Sequence, residues 1–120
     1  MNGEVCFTYA DAPRKTFHWG FGLSEFAFEV SGHGSDSVYV YKDQIEAVGI
    51  VRSVDFENSD LARHLSIGRN VVAHVEHTVV LMNKHGRLAL VEILDVQREV
   101  TSGLYVAPHV TFRWRVVESS

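Results

Sequence analysis

A chain of 120 residues that is 46% hydrophobic, with seven Phe, four Tyr and two Trp, is sized for one domain whose core needs neither a disulfide nor a structural metal. Its 15 acidic and 11 basic residues are mixed along the chain for a net charge of −4, which argues against the dense Lys/Arg surface of a nucleic acid partner; Arg63, His64 and Arg69 read as solvated surface. One cysteine, no signal-like start and no run near the roughly 20 apolar residues of a membrane span predict a soluble, cytoplasmic protein with no membrane partner.

Along the chain the reading is one of successive strands. Residues 4–10 and 16–21 are rich in β-branched and aromatic side chains, with the turn residues DAP between them. Cys6, next to Phe7, is expected to be a small buried hydrophobe. Phe26, Phe28 and Val30 then alternate with Glu25, Ala27, Glu29 and Ser31, the period-two signature of a strand with one wet face. After the turn SGHGSD, residues 37–42 place Tyr39 and Tyr41 opposite Val38 and Val40, with the two phenol rings about 7 Å apart along the strand. His18, opposite Phe17 and Trp19, joins that surface if the strands are neighbours. Rings so placed suit a flat ligand, a sugar or a protein contact, which makes Tyr39, Tyr41 and His18 the candidate ligand or interface residues.

A further strand is expected over residues 45–54. The only expected helix starts near Asn58 or Ser59, either of which can cap free N–H groups, and runs through Leu61, Ala62 and Leu65 toward Gly68. Two turns contribute little stability of their own, so it is expected to lie over one end of the sheet.

The stretch HVEH, residues 74–77, is the one metal-like pattern. A cupin motif is the natural comparison, because Gly68 and His74 have its first spacing. Glu76, however, stands where a second histidine is usual, Val80 and Leu81 occupy the downstream glutamate position, and no second motif appears near Pro108 and His109. Read as a strand, HVEH puts His74 and Glu76 on one face and His77 on the other, short of the three convergent ligands a catalytic metal needs. No metal or other cofactor is therefore expected, and His74, Glu76 and His77 remain the alternative metal set.

Residues 78–82 and 88–94 are apolar on both faces and are joined by NKHG, where Asn83 and Gly86 tolerate positive φ. They predict a central hairpin with His85 exposed at its tip. Val110, Phe112, Trp114 and Val116 alternate with Thr111, Arg113 and Arg115 in a closing strand. Nucleophile elbows and phosphate loops are missing from the sequence, and Cys6 and Ser24 have no evident base. Carboxylates on adjacent strands remain free to converge.

With Gly22, Glu25, Phe26 and Phe28 in one strand, Ser37, Tyr39 and Tyr41 in the next, Asn83, Gly86 and Ala89 in the hairpin and Thr111 and Phe112 at the close, the chain resembles a group of small bacterial β-rich proteins. They share G-x-x-E-F-x-F and S-x-Y-x-Y strands and a V-V-L-x-N-x-x-G hairpin. The resemblance implies a β fold and carries no catalytic residue. The expectation is thus one mainly-β domain, an antiparallel sandwich or small barrel with one short helix. It is expected to act as a non-enzymatic module for self-association or a protein partner, with a small ligand as a further option. The alternative is a cupin-like metal-binding barrel or small-ligand enzyme.

Overall fold

Alternation decides which side chains meet. The computed structural model describes residues 1–51 and 58–117, and in it the apolar faces of two antiparallel sheets close on each other. The first sheet has the order β1 (Asn2–Phe7), β9 (His109–Val116), β8 (Leu88–Gln97), β7 (Thr78–Met82) and β5 (Ala47–Val51). The second has the order β2 (Thr16–Trp19), β3 (Phe26–Gly32), β4 (Ser37–Tyr41) and β6 (Asn70–His74). The protein is mainly β, and of the two architectures expected it adopts the sandwich: the sheets stay separate and no barrel closes.

The interior is filled by side chains. Phe26, Phe28 and Val30 from β3 and Val38 and Val40 from β4 meet Val79, Val91, Ile93 and Phe112 from the facing sheet. Phe28 and Phe112 lie 4.7 Å apart across the gap, and Trp19 stacks on Trp114 at 5.1 Å. Each such side chain contributes about 1.5–3 kcal/mol by leaving water. The Trp19 indole N–H is buried with no acceptor among the described residues, a local cost of about 1–3 kcal/mol that the stacking around it offsets. A register shift between Ile93 and Asp95 turns β8 by one residue. Ile93 and Val96 consequently both face the core although three positions separate them.

Strands β7 and β8 are central and buried on both faces, as their two-sided apolar runs predict. The outer side of this hairpin is covered by the 3-10 helix Asn58–His64, whose Leu61 packs with Val51, Val80 and Leu90 in a second small core. The expected helix is therefore present, wound as 3-10, a form suited to short connectors. The possible caps at Asn58 and Ser59 and the end of the strand expected through residue 54 lie outside the described side chains and residues. Cys6 is exposed, against expectation, because Val5 and Phe7 take the inward positions of β1 and parity turns Cys6 outward.

HVEH is not a continuous strand. β6 ends at His74, residues 75–77 turn with Glu76 at φ 78°, and Thr78 begins β7 in the opposite sheet. The turn is pinned to β8, where Glu76 N–H donates to the Ile93 carbonyl at 2.8 Å and Ile93 N–H to that of His77 at 2.9 Å. The chain has to cross between sheets here, and the crossing overrides the strand pattern.

Asn83 also differs from expectation. It is buried in the β7–β8 turn, where its side-chain oxygen accepts from the N–H groups of His85 and Arg87. Its amide donates to the carbonyls of Leu23 and Glu25, so Asn83 ties the hairpin to the β2–β3 loop. Gly86 alone supplies the positive φ, at 77°, and His85 is exposed at the tip as expected.

Candidate functional site

Because β2, β3 and β4 are successive neighbours, Tyr39, Tyr41 and His18 do lie on one outer face of the four-stranded sheet. The tyrosines meet each other at 6.2 Å between ring centroids, and both are half-buried. Tyr41 shares a 2.7 Å hydrogen bond with Ser31, and the Arg69 guanidinium sits 5.3 Å above its ring. Arg69 in turn donates to Asp43 from Nε and Nη2, and this hydrogen bonding holds the Asp43 carboxyl below its usual range. Tyr39 is met edge-on by His33 at 4.8 Å. His18 is set apart from them, exposed two strands away, with Gln44 bridging Thr16 and Glu29 in between. The tyrosines are thus a packed surface, and His18 is not part of it.

Of the alternative metal set the turn brings His74 and His77 together, against expectation, with ring centroids 5.3 Å apart, but Glu76 leaves for the other sheet and the three do not converge. His74 faces outward beside Asp36, with Nδ1 3.4 Å from its carboxylate. The Nδ1 of His77 accepts the His74 backbone N–H at 3.1 Å. Glu76 belongs to a pocket on the other sheet, with Glu92 and Arg113. Among the described residues no three His, Cys, Asp or Glu side chains converge as metal ligands. Glu4 on β1 and Glu92 on β8 flank β9 and each lie 3.4 Å from Arg113 between them, an ion-paired arrangement and not a pair of facing carboxylates.

The feature that sequence reading missed is the pole beyond the end of β8. Residues 98–108 project as a finger whose two sides exchange hydrogen bonds between Val100 and Val106, at 3.0 and 2.9 Å, around Gly103 at φ 77°. The Tyr105 hydroxyl donates to Glu99 at 2.9 Å, which raises the Tyr105 pKa. At the tip Leu104 is 91% and Tyr105 61% exposed. The sequence did hold a signal: VTSGLYV pairs two valines around a glycine turn.

At the base of the finger is a cleft of about 680 Å³, walled by Arg98, Glu99 and Pro108, by Tyr9 and Lys15, and by the β3–β4 loop through His33. His33 is oriented by a 2.8 Å hydrogen bond between its Nδ1 and buried Ser37. Arg14 and Lys15 both adopt positive φ, 55° and 53°, which costs each L-residue about 1–2 kcal/mol. The bend is held by the Thr16 hydroxyl donating to the Arg14 carbonyl and by Lys15 N–H donating to Ala12. Burial, and then the Glu99 charge, push the Tyr9 phenol up from its ordinary pKa.

No family model, curated protein or solved structure matches this chain. Among the described residues no helix is long and apolar enough to cross a membrane.

Proposed function

We propose that the protein is a non-enzymatic β-sandwich module that associates with a second copy of itself through the tip of the finger. The observation that carries this reading is the exposed run of Leu104, Tyr105 and Val106 on a hairpin braced by its own hydrogen bonds. A braced apolar tip loses little conformational freedom on docking and gains from leaving water. A second copy is favoured because the chain also bears an apolar acceptor: Phe21, 77% exposed, and Leu23 protrude from the β2–β3 loop. That loop is tied by Asn83 to the end of the hairpin farthest from the finger. Two apolar ends on one molecule suit a head-to-tail contact. The exposed thiol of Cys6 fits a reducing compartment, so the cytoplasm is the proposed location.

Sedimentation over a concentration series tests the reading. The natural protein is expected to sediment as an oligomer, and Leu104→Ser with Tyr105→Ser to release monomer by weakening association at least about tenfold. Phe21→Ser is expected to act in the same direction. A natural protein that stays monomeric at every concentration, or a finger variant that assembles unchanged, overturns it.

A further inference from the structure

The cleft beneath the finger has two cations and a hydroxyl that no other group of the described residues engages. Among the described residues neither Lys15 nor Arg98 has an ion-pair partner, whereas Arg69 and Arg113 do. The Tyr9 ring is 3% exposed, yet its hydroxyl lines the cleft beside Gly32 and donates to no group of the described residues. Opening on the cleft, that hydroxyl is free to donate to a group bound there. Lys15 is delivered to this wall by strained backbone, and strain of that kind is most often held where it positions a group for function. His33 adds a ring whose Nδ1 is already fixed by Ser37, leaving Nε2 unengaged by that bond.

We propose that this cleft binds a small molecule carrying an oxyanion, a phosphate or carboxylate group, with Lys15 and Arg98 taking the charge and the Tyr9 hydroxyl donating to an anionic oxygen. The volume lies within the roughly 300–1,000 Å³ of ordinary small-ligand sites and leaves room for a body beyond the charged group. Pro108 and Ala10 give that body an apolar wall. Among the described residues Glu99 is the one carboxylate on the lining; it accepts from Tyr105 and so faces the finger as well as the cleft. It excludes ligands whose charge spreads over the whole molecule and favours one that places its oxyanion against Lys15 and Arg98. The site does not depend on self-association, since all of these residues belong to one chain.

Calorimetric titration of the purified protein with phenyl phosphate and with benzoate, each an oxyanion on an uncharged body, at low ionic strength, tests this. At least one probe is expected to bind saturably with one-to-one stoichiometry, and the tighter of the two distinguishes a phosphate from a carboxylate site. Lys15→Gln and Arg98→Gln are each expected to weaken binding about tenfold, the size of one lost charge-assisted contact. Tyr9→Phe, which keeps the buried ring, is expected to weaken it several-fold, and Arg69→Gln, on the tyrosine face, to leave it unchanged. Absence of saturable binding by both probes overturns the proposal, as does an equal loss in the Arg69 and Lys15 variants, which would mark general attraction to positive charge.

Discussion

Gly49 on β5 shows how one missing side chain fixes the second core. A Cβ built there overlaps the His64 carbonyl oxygen and lies 2.6 Å from its carbon, backbone atoms that have no rotamer in which to retreat. The close approach is what lets Gly49 pair with Leu65 and lets Ser66 N–H donate to the Val48 carbonyl at 2.8 Å. Gly49→Ala is therefore expected to destabilise by about 1–3 kcal/mol, the usual cost of overpacking, by lifting the 3-10 segment from Val80 and Leu90. A denaturation midpoint unchanged from the natural protein would show that the segment does not depend on this contact. Nothing in AVGIV marks the glycine as a contact point, because the partner atoms belong to a backbone 15 residues downstream.

The β7–β8 turn presents the other kind of glycine requirement. Gly86 has open space around it, so only its φ of 77° opposes a side chain. Gly86→Val should cost about 1–3 kcal/mol in equilibrium unfolding, while Gly86→Asn, which tolerates this conformation, should cost much less; equal losses would mean that packing, not backbone strain, sets the requirement. The hairpin was legible because two apolar runs flank a glycine turn, and β3 and β9 were legible because one wet face imposes a period of two. β6 and the turn after it were not, since polar and apolar residues alternate through HVEH whether the chain runs on or crosses between sheets. The cleft was wholly hidden: its walls come from residues 9–15, 32–35 and 98–108, and only the sandwich brings those segments together. Tyr39 and Tyr41 were placed on the correct face, but Arg69 and His33, which cover them, come from other elements.

The molecule as a whole is elongated, 51 Å by 29 Å by 25 Å, with the finger and cleft at one pole and Phe21 and Leu23 at the other. The ligand would thus bind at the finger's end, partner copies would meet the protein at both ends, and the tight interior between them stays shut. That interior also reports on itself. Trp19 belongs to the four-stranded sheet and Trp114 to the five-stranded one, and they are the chain's two tryptophans. Stacked at 5.1 Å and inclined by 22°, their indole transitions are close enough to mix, so the far-ultraviolet circular dichroism should contain an exciton contribution. It should vanish in both Trp19→Phe and Trp114→Phe, and the wild-type spectrum should differ from the sum expected of two isolated chromophores. Spectra that simply add would place the indoles apart and the sheets with them. During unfolding, the same signal becomes an optical gauge of the gap between the sheets, independent of the strands' own amide bands.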